Sequence, residues 1–195
     1  MTARQIEAAD IMPMAEYAKL RGERRKRITE LKQHRRLEVG PFATFYFESY
    51  DTMLHQVHEM LFIERGGAEQ VPDELAAYNP LIPRGAELVA TVMFEIDEPV
   101  QRARALATLG GVERHAFIRV GRDTVRGVAE ADQERTREDG KASSVQFIRF
   151  AFTPAQIAAL KGGQGEVVAG FDHANYGHMA VMPAAMRQAL AGDFG

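Results

Sequence analysis

Apolar and polar positions fall into distinct rhythms along this chain. From Phe42 to Glu48 the run FATFYFE has the aromatic and β-branched make-up of a strand, and Asp51 is placed to cap a helix through Glu64, ending before Gly66-Gly67. VPDELAAYNPLIP reads as a short helix broken by Pro80 and Pro83. The strand that follows, 86–96, is apolar on both faces except at Glu95, as a central strand must be. Residues 98–109 carry helical spacing, 113–120 and 123–130 read as strands joined at Gly121-Arg122, and 144–152 as another interior strand. Thr153-Pro154 opens a helix that stops at Gly162-Gly163, and a strand at 166–172 leads through DHANYGH to a C-terminal helix after Pro183. Upstream, Leu20, Ile28 and Leu31 give residues 20–36 a sparse apolar stripe, predicting a surface helix with a narrow buried seam. The elements predict an α+β fold: a single domain over 1–195, with a mostly antiparallel sheet of about six strands, helices packed against it and a basic N-terminal helix.

Composition sharpens this picture in two ways. With no cysteine, the chain by itself offers no disulfide, thiol nucleophile or cysteine-held cluster, so any metal must sit on His, carboxylate or Tyr. No apolar run approaches the roughly 20 residues of a membrane span, and MTARQIEAAD lacks a secretory apolar stretch, so the expected location is the cytoplasm.

Charge is unevenly spread. Between residues 19 and 36 nine cations face Glu23 and Glu30 alone, giving +7, so the rest of a chain of net charge −3 carries −10. Either these cations are solvated and pair with the acidic body, or Arg24, Arg25 and Arg27 dock an acidic partner protein or a nucleic acid. Nucleic acid is disfavoured, because the whole chain is acidic and no aromatic interleaves the arginines.

Charges inside apolar strands carry the most physical information, since an unpartnered buried charge is too costly to retain. Alternation puts Arg149 on one face with Val145 and Phe147, Glu95 with Thr91 and Met93, and Glu48 with Thr44 and Tyr46. Two readings stand. Arg149 closes an internal salt bridge with Glu48 or Glu95, or the three line a pocket in which Arg149 forks onto a bound carboxylate or phosphate. The first places all three charges in one internal cavity. On the helix after Asp51, Leu54, Val57 and Leu61 mark a core stripe, leaving His55, His58, Glu59 and Phe62 together on the adjoining face. His55, Glu59 and His173 are the candidate metal ligands, although HQVHE does not have the HExxH order of a zinc protease.

DHANYGH sets Asp172, His173 and Tyr176 at the end of a strand, where polar groups often converge on a ligand, so His173 and Tyr176 are expected to rim the same pocket as Glu95. The other reading is an Asx-type turn anchored by the tyrosine. Gly162-Gly163-Gln164-Gly165 precedes a strand and is followed by no Gly-Lys-Ser/Thr, which excludes the common phosphate loops. No Gly-x-Ser-x-Gly surrounds Ser49, Ser143 or Ser144, which excludes the usual serine-hydrolase elbow.

The strings FESYDT, HQVHEML, AYNPLIPRGAELVATVMFEI, GKASS, SSVQFIRF and DHANYGH, in that order from about Tyr17 to Phe194, resemble the uncharacterised bacterial family named domain of unknown function 3501. The family's Asp-His-Pro-x-Tyr pattern is broken here at Ala174, and Glu59 falls inside the matching EML string. The resemblance implies an oxidative-stress or electron-transfer setting, beside rubrerythrin-like or iron–sulfur proteins. Two functions are therefore carried forward. One is an accessory or ligand-binding protein acting beside such a redox partner. The other is a metal-dependent enzyme using Glu48, Glu59, Glu95 and His173 around iron, manganese or zinc. A small-molecule ligand and a homo-oligomer fit either.

Overall fold

The computed structural model describes residues 5–130, 141–163 and 165–195, so residues 1–4, Gly140 of the GKASS string and Gln164 of the glycine-rich turn lie outside them. Strands β1 (Arg36–Val39), β2 (Ala43–Phe47), β3 (Glu87–Phe94), β4 (Ala116–Val120), β5 (Asp123–Ala129), β6 (Val145–Ala151), β7 (Val167–His173) and β8 (Tyr176–Val181) form one sheet. Their order is β1-β2-β3-β6-β5-β4-β7-β8, with every neighbouring pair antiparallel. The sheet curls until β1 meets β8, making a nearly closed barrel. At the meeting point Gly40, with φ +67°, has no room for a side chain, because a Cβ there would lie 2.6 Å from the ring of His178.

Helices α1 (Met14–Gln33), α2 (Tyr50–Glu64), α3 (Val71–Tyr78), α4 (Pro99–Ala107), α5 (Pro154–Lys161) and α6 (Ala184–Ala191) surround it. Helix α2 starts two residues earlier than expected, capped by Ser49 and Thr52 in a reciprocal box instead of by Asp51, and ends at Glu64 as expected. The expected mixture of helices and antiparallel strands is present, but with eight strands where about six were predicted. The two extra strands are β1 and β8. RLEV offers just two apolar positions after an arginine run and falls in no predicted strand; the basic helix expected to reach Arg36 stops at Gln33. YGHMAV is short and opens on a Tyr-Gly pair, so DHANYGH read as a loop where a β7–β8 hairpin stands.

Period-two alternation fills the barrel. Leu88, Ala90, Val92 and Phe94 of β3 point inward with Phe45, Ile118, Ile148, Phe150, Ala169 and Phe171. Phe45 lies 5.2 Å from Phe171 and 6.4 Å from Phe150, ring centre to ring centre, so the interior is packed with side chains. Outside, Val89 is covered by Met53, Val57 and Leu61 of α2, with Leu81, Ile82 and Ile6, in a second core. Each such buried aliphatic side chain contributes roughly 1.5–3 kcal/mol.

Two polar clasps hold the curl. Buried Tyr176 donates its hydroxyl hydrogen to the Val39 carbonyl at 2.7 Å and accepts from the Phe42 and Ala43 N–H groups at 3.0 and 2.8 Å. Buried Arg35 donates to the Phe47 and Glu48 carbonyls at 2.9 and 2.8 Å and pairs with Asp193, whose carboxyl burial pushes up against the pull of that arginine. The first clasp joins β8 to the β1–β2 turn, and the second joins the start of β1 to the end of β2 and the C-terminal tail.

Tyr176→Phe strips three backbone groups, two of them buried, of one shared partner and is expected to lower unfolding free energy by about 1–3 kcal/mol. Urea denaturation with hydrogen exchange at the Ala43 amide measures it; an unchanged midpoint with a still-protected amide would show the hydroxyl to be dispensable.

Candidate functional site

The arrangement of interest begins on α2, whose Met53–Val57–Leu61 stripe faces the barrel and so turns His55, His58, Glu59 and Phe62 toward α1. His58 is buried and stacks on Tyr17 at 4.9 Å with rings 13° from parallel. Its Nδ1–H donates to the Leu54 carbonyl at 2.7 Å and its Nε2 accepts from the Met12 N–H at 3.0 Å, so both nitrogens are used. Burial lowers its pKa from the ordinary imidazole value.

Glu59 takes the Tyr17 hydroxyl at 2.7 Å and the Arg21 guanidinium as a fork, Nε at 2.9 and Nη2 at 2.8 Å. The Arg21 bonds, working against burial, hold its carboxyl down at about 2. Burial and the Glu59 carboxylate push the Tyr17 phenol up. Arg21 also lies 4.7 Å over the Phe62 ring. Glu59 is thus the latch that holds α1 on α2. Sequence reading missed Tyr17 and Arg21 as its partners; the available signal was a lone aromatic four residues before an arginine on an otherwise polar helix.

Past this latch the helices part. A groove of about 290 Å³ opens there, lined by the apolar Leu20, Ile28, Leu31 and Leu54 together with Glu23, Arg24, Arg27, Asp51 and His55. Partial burial lowers the His55 pKa from the ordinary imidazole value. Among the described residues Arg21 is the one α1 cation in an ion pair; Lys19, Arg24, Arg25, Lys26, Arg27 and Lys32 have none. The expectation that the basic run pairs with the acidic body holds for Arg21, Arg35 and Arg36, which reach Glu59, Asp193 and Glu95, and is corrected for Arg24, Arg25 and Arg27.

The charges embedded in strands are satisfied separately, and Glu48, Glu95 and Arg149 do not share a cavity. Glu48 and Glu95 bracket opposite ends of the β2–β3 ladder, their amides bonding to Val89 and Phe42, about 20 Å apart along the strand. Buried Glu48 accepts from the hydroxyls of Thr52 at 2.6 Å and Thr91 at 2.7 Å, beneath the first turn of α2, where the helix dipole favours an anion. Glu95 is half exposed and accepts from Thr44 at 2.5 Å and Tyr46 at 2.7 Å, with Arg36 at 3.8 Å. Burial opposes these contacts, which nonetheless lower its pKa from the ordinary carboxyl value. Arg149 pairs with Glu87 and with Glu130 at 2.7 Å and donates to the Pro80 carbonyl. The cost of burying charge forced partners on all three, but strand order, which alternation does not reveal, chose others.

His173 and Tyr176 face each other across the β7–β8 hairpin but serve different ends. Tyr176 is the clasp inside the barrel, and His173 stands at the β7–β8 turn, its Nδ1 accepting from the Asn175 N–H at 3.2 Å. Its ring meets His115 edge to face at 5.0 Å. Asp172 bridges His115 at 3.1 Å and Arg126 at 2.6 Å, and against the effect of burial these two lower its pKa from the ordinary carboxyl value. His115 and Arg126 lie on a short turn and an exposed strand face with no pattern to mark them. No contact joins His173 to Glu95, His55 or Glu59, and among the described residues no three His, Asp or Glu side chains gather as a metal site. No helix in these residues is long and apolar enough to cross a membrane.

The family model described as protein of unknown function (DUF3501) matches residues 5–194. The chain belongs to the DUF3501 family. A crystal structure described as a novel protein of unknown function from Burkholderia pseudomallei K96243 is similar to it at 34% identity and a TM-score of 0.90, covering 98% of this chain and 100% of that one. No protein of curated function matches. The DUF3501 resemblance seen in the matching strings is thereby established for nearly the whole chain.

In this DUF3501 protein the Glu59 latch carries a pH signature. Its folded pKa lies below the ordinary carboxyl value of 4.5, so its stabilisation is complete above that value and is lost as pH falls toward about 2. Glu59→Gln is expected to lower stability by about 1–3 kcal/mol at neutral pH, a gap that closes on acidification. Denaturation midpoints between pH 7 and pH 3 measure it, and a gap independent of pH would show that charge is not what latches α1.

Proposed function

We propose that this protein is a cytoplasmic binding module that docks an acidic surface of a redox partner against α1. One observation carries the reading: six cations of a helix about 30 Å long have no ion pair among the described residues, although the body beneath them is acidic. Cations left in water cost little to present, and they steer an oppositely charged partner into contact. The family setting supplies the partner's class, a rubrerythrin-like or iron–sulfur protein. A chain without cysteine holds no cysteine-ligated cluster alone, which suits a role beside the redox centre. The packed barrel interior leaves the outer surface of α1 as the place where such a partner would meet the protein.

Reversing Arg24, Arg25 and Arg27 to Glu is expected to leave the melting temperature nearly unchanged, since exposed pairs are worth at most about 1 kcal/mol. Affinity for a purified rubrerythrin-like or iron–sulfur protein from the same cell should fall about tenfold or more, and wild-type affinity should weaken with salt. Binding that ignores both reversal and salt, or no binding to either class at low ionic strength, overturns the proposal.

A further inference from the structure

We propose that the groove between α1 and α2 seats one apolar side chain of the acidic partner. This rests on the docking reading above and specifies its contact. The seam between the helices is tight at Tyr17 and Arg21 and open from Leu20 to Leu31, because Arg24 and Arg27 occupy the helical spacings where apolar residues would have closed it. Leu20 is 37% exposed on its edge. A volume of about 290 Å³ suits a leucine- or phenylalanine-sized side chain and is small for a cofactor.

Charge selects the occupant. Glu23 and Asp51 balance Arg24 and Arg27 at the groove itself, while the exposed Arg25 and Lys26, against Glu30 alone, leave the outer flank of α1 positive. A partner segment with one apolar residue amid carboxylates matches both parts, the apolar residue entering the groove and the acids reaching the flank. A second apolar dimple, lined in part by Ile11, Met14, Leu61 and Val71, has no Lys, Arg or His in its lining and offers such a segment no charge match.

Two synthetic acidic helical peptides, alike except for a central Leu or Ala, test this by fluorescence anisotropy against the full chain. The Leu peptide is expected to bind about tenfold more tightly than its Ala twin. Leu20→Gln should bring that ratio near unity, and Arg25→Glu should weaken both peptides by a similar factor while preserving the ratio. Should Leu20→Gln fail to fold, Ile28→Gln gives the same readout. Equal wild-type affinities, or a preference that survives both groove variants, overturn the groove assignment while leaving basic-face docking in place. Failure of both peptides to bind overturns the two together. A dimer seen by sedimentation and dispersed by Leu20→Gln would make the occupant a second copy, which also overturns the assignment.

Discussion

Strand β3 has to be covered on both faces, and the other elements are arranged around that requirement. Inward, Leu88, Ala90, Val92 and Phe94 demand a closed interior, which the curl of eight strands provides. Outward, Val89 demands a roof, and α2 supplies it with Met53, Val57 and Leu61. Once α2 lies that way, its next face can only point outward, and Glu59 is on it. Glu59 fixes Tyr17 and Arg21, and those two set which side of α1 faces the protein and which faces water. The α1 cations without an ion pair among the described residues are thus the end of a chain of packing consequences that begins in an apolar strand.

How much of this was legible depended on how local the determining signal was. Helix α2 with its apolar stripe, the β4–β5 hairpin at Gly121 and the central position of β3 follow from spacing and turn residues a few positions apart, and all are present. Strands β1 and β8 each pair with a sequence neighbour, β2 and β7, but what ties the two edges together is the Tyr176 hydroxyl, which reaches the β1–β2 turn from more than 130 residues away in sequence. No short window contains that closure. Tyr176 was picked out by its place in DHANYGH, but the barrel, not a pocket, is what it serves.

The charged positions divide in the same way. That Glu48, Glu95 and Arg149 need partners follows from the physics of burial; that Glu48 would settle for two threonine hydroxyls and Arg149 for Glu87 and Glu130 follows from sheet order. Arg35 shows the reverse error, since it sits in the basic run and counts toward its charge, yet it is buried and occupied with the Phe47 and Glu48 carbonyls and Asp193. Of the nine cations in that stretch, the six without an ion pair among the described residues all lie on α1.

The two attachments of α1 make it a strut. Near its start it is bolted to α2 through Glu59, and just past its end Arg35 is bolted to the sheet edge and to Asp193. A force applied to the middle of the helix therefore has two exits, one into the roof of the barrel and one into the β1 edge and the chain's last residues. The second exit ends on Asp193, beside Phe194, which packs against Phe152 in the barrel core, so the same load that pulls on the helix is resisted by the seating of the chain's last residues.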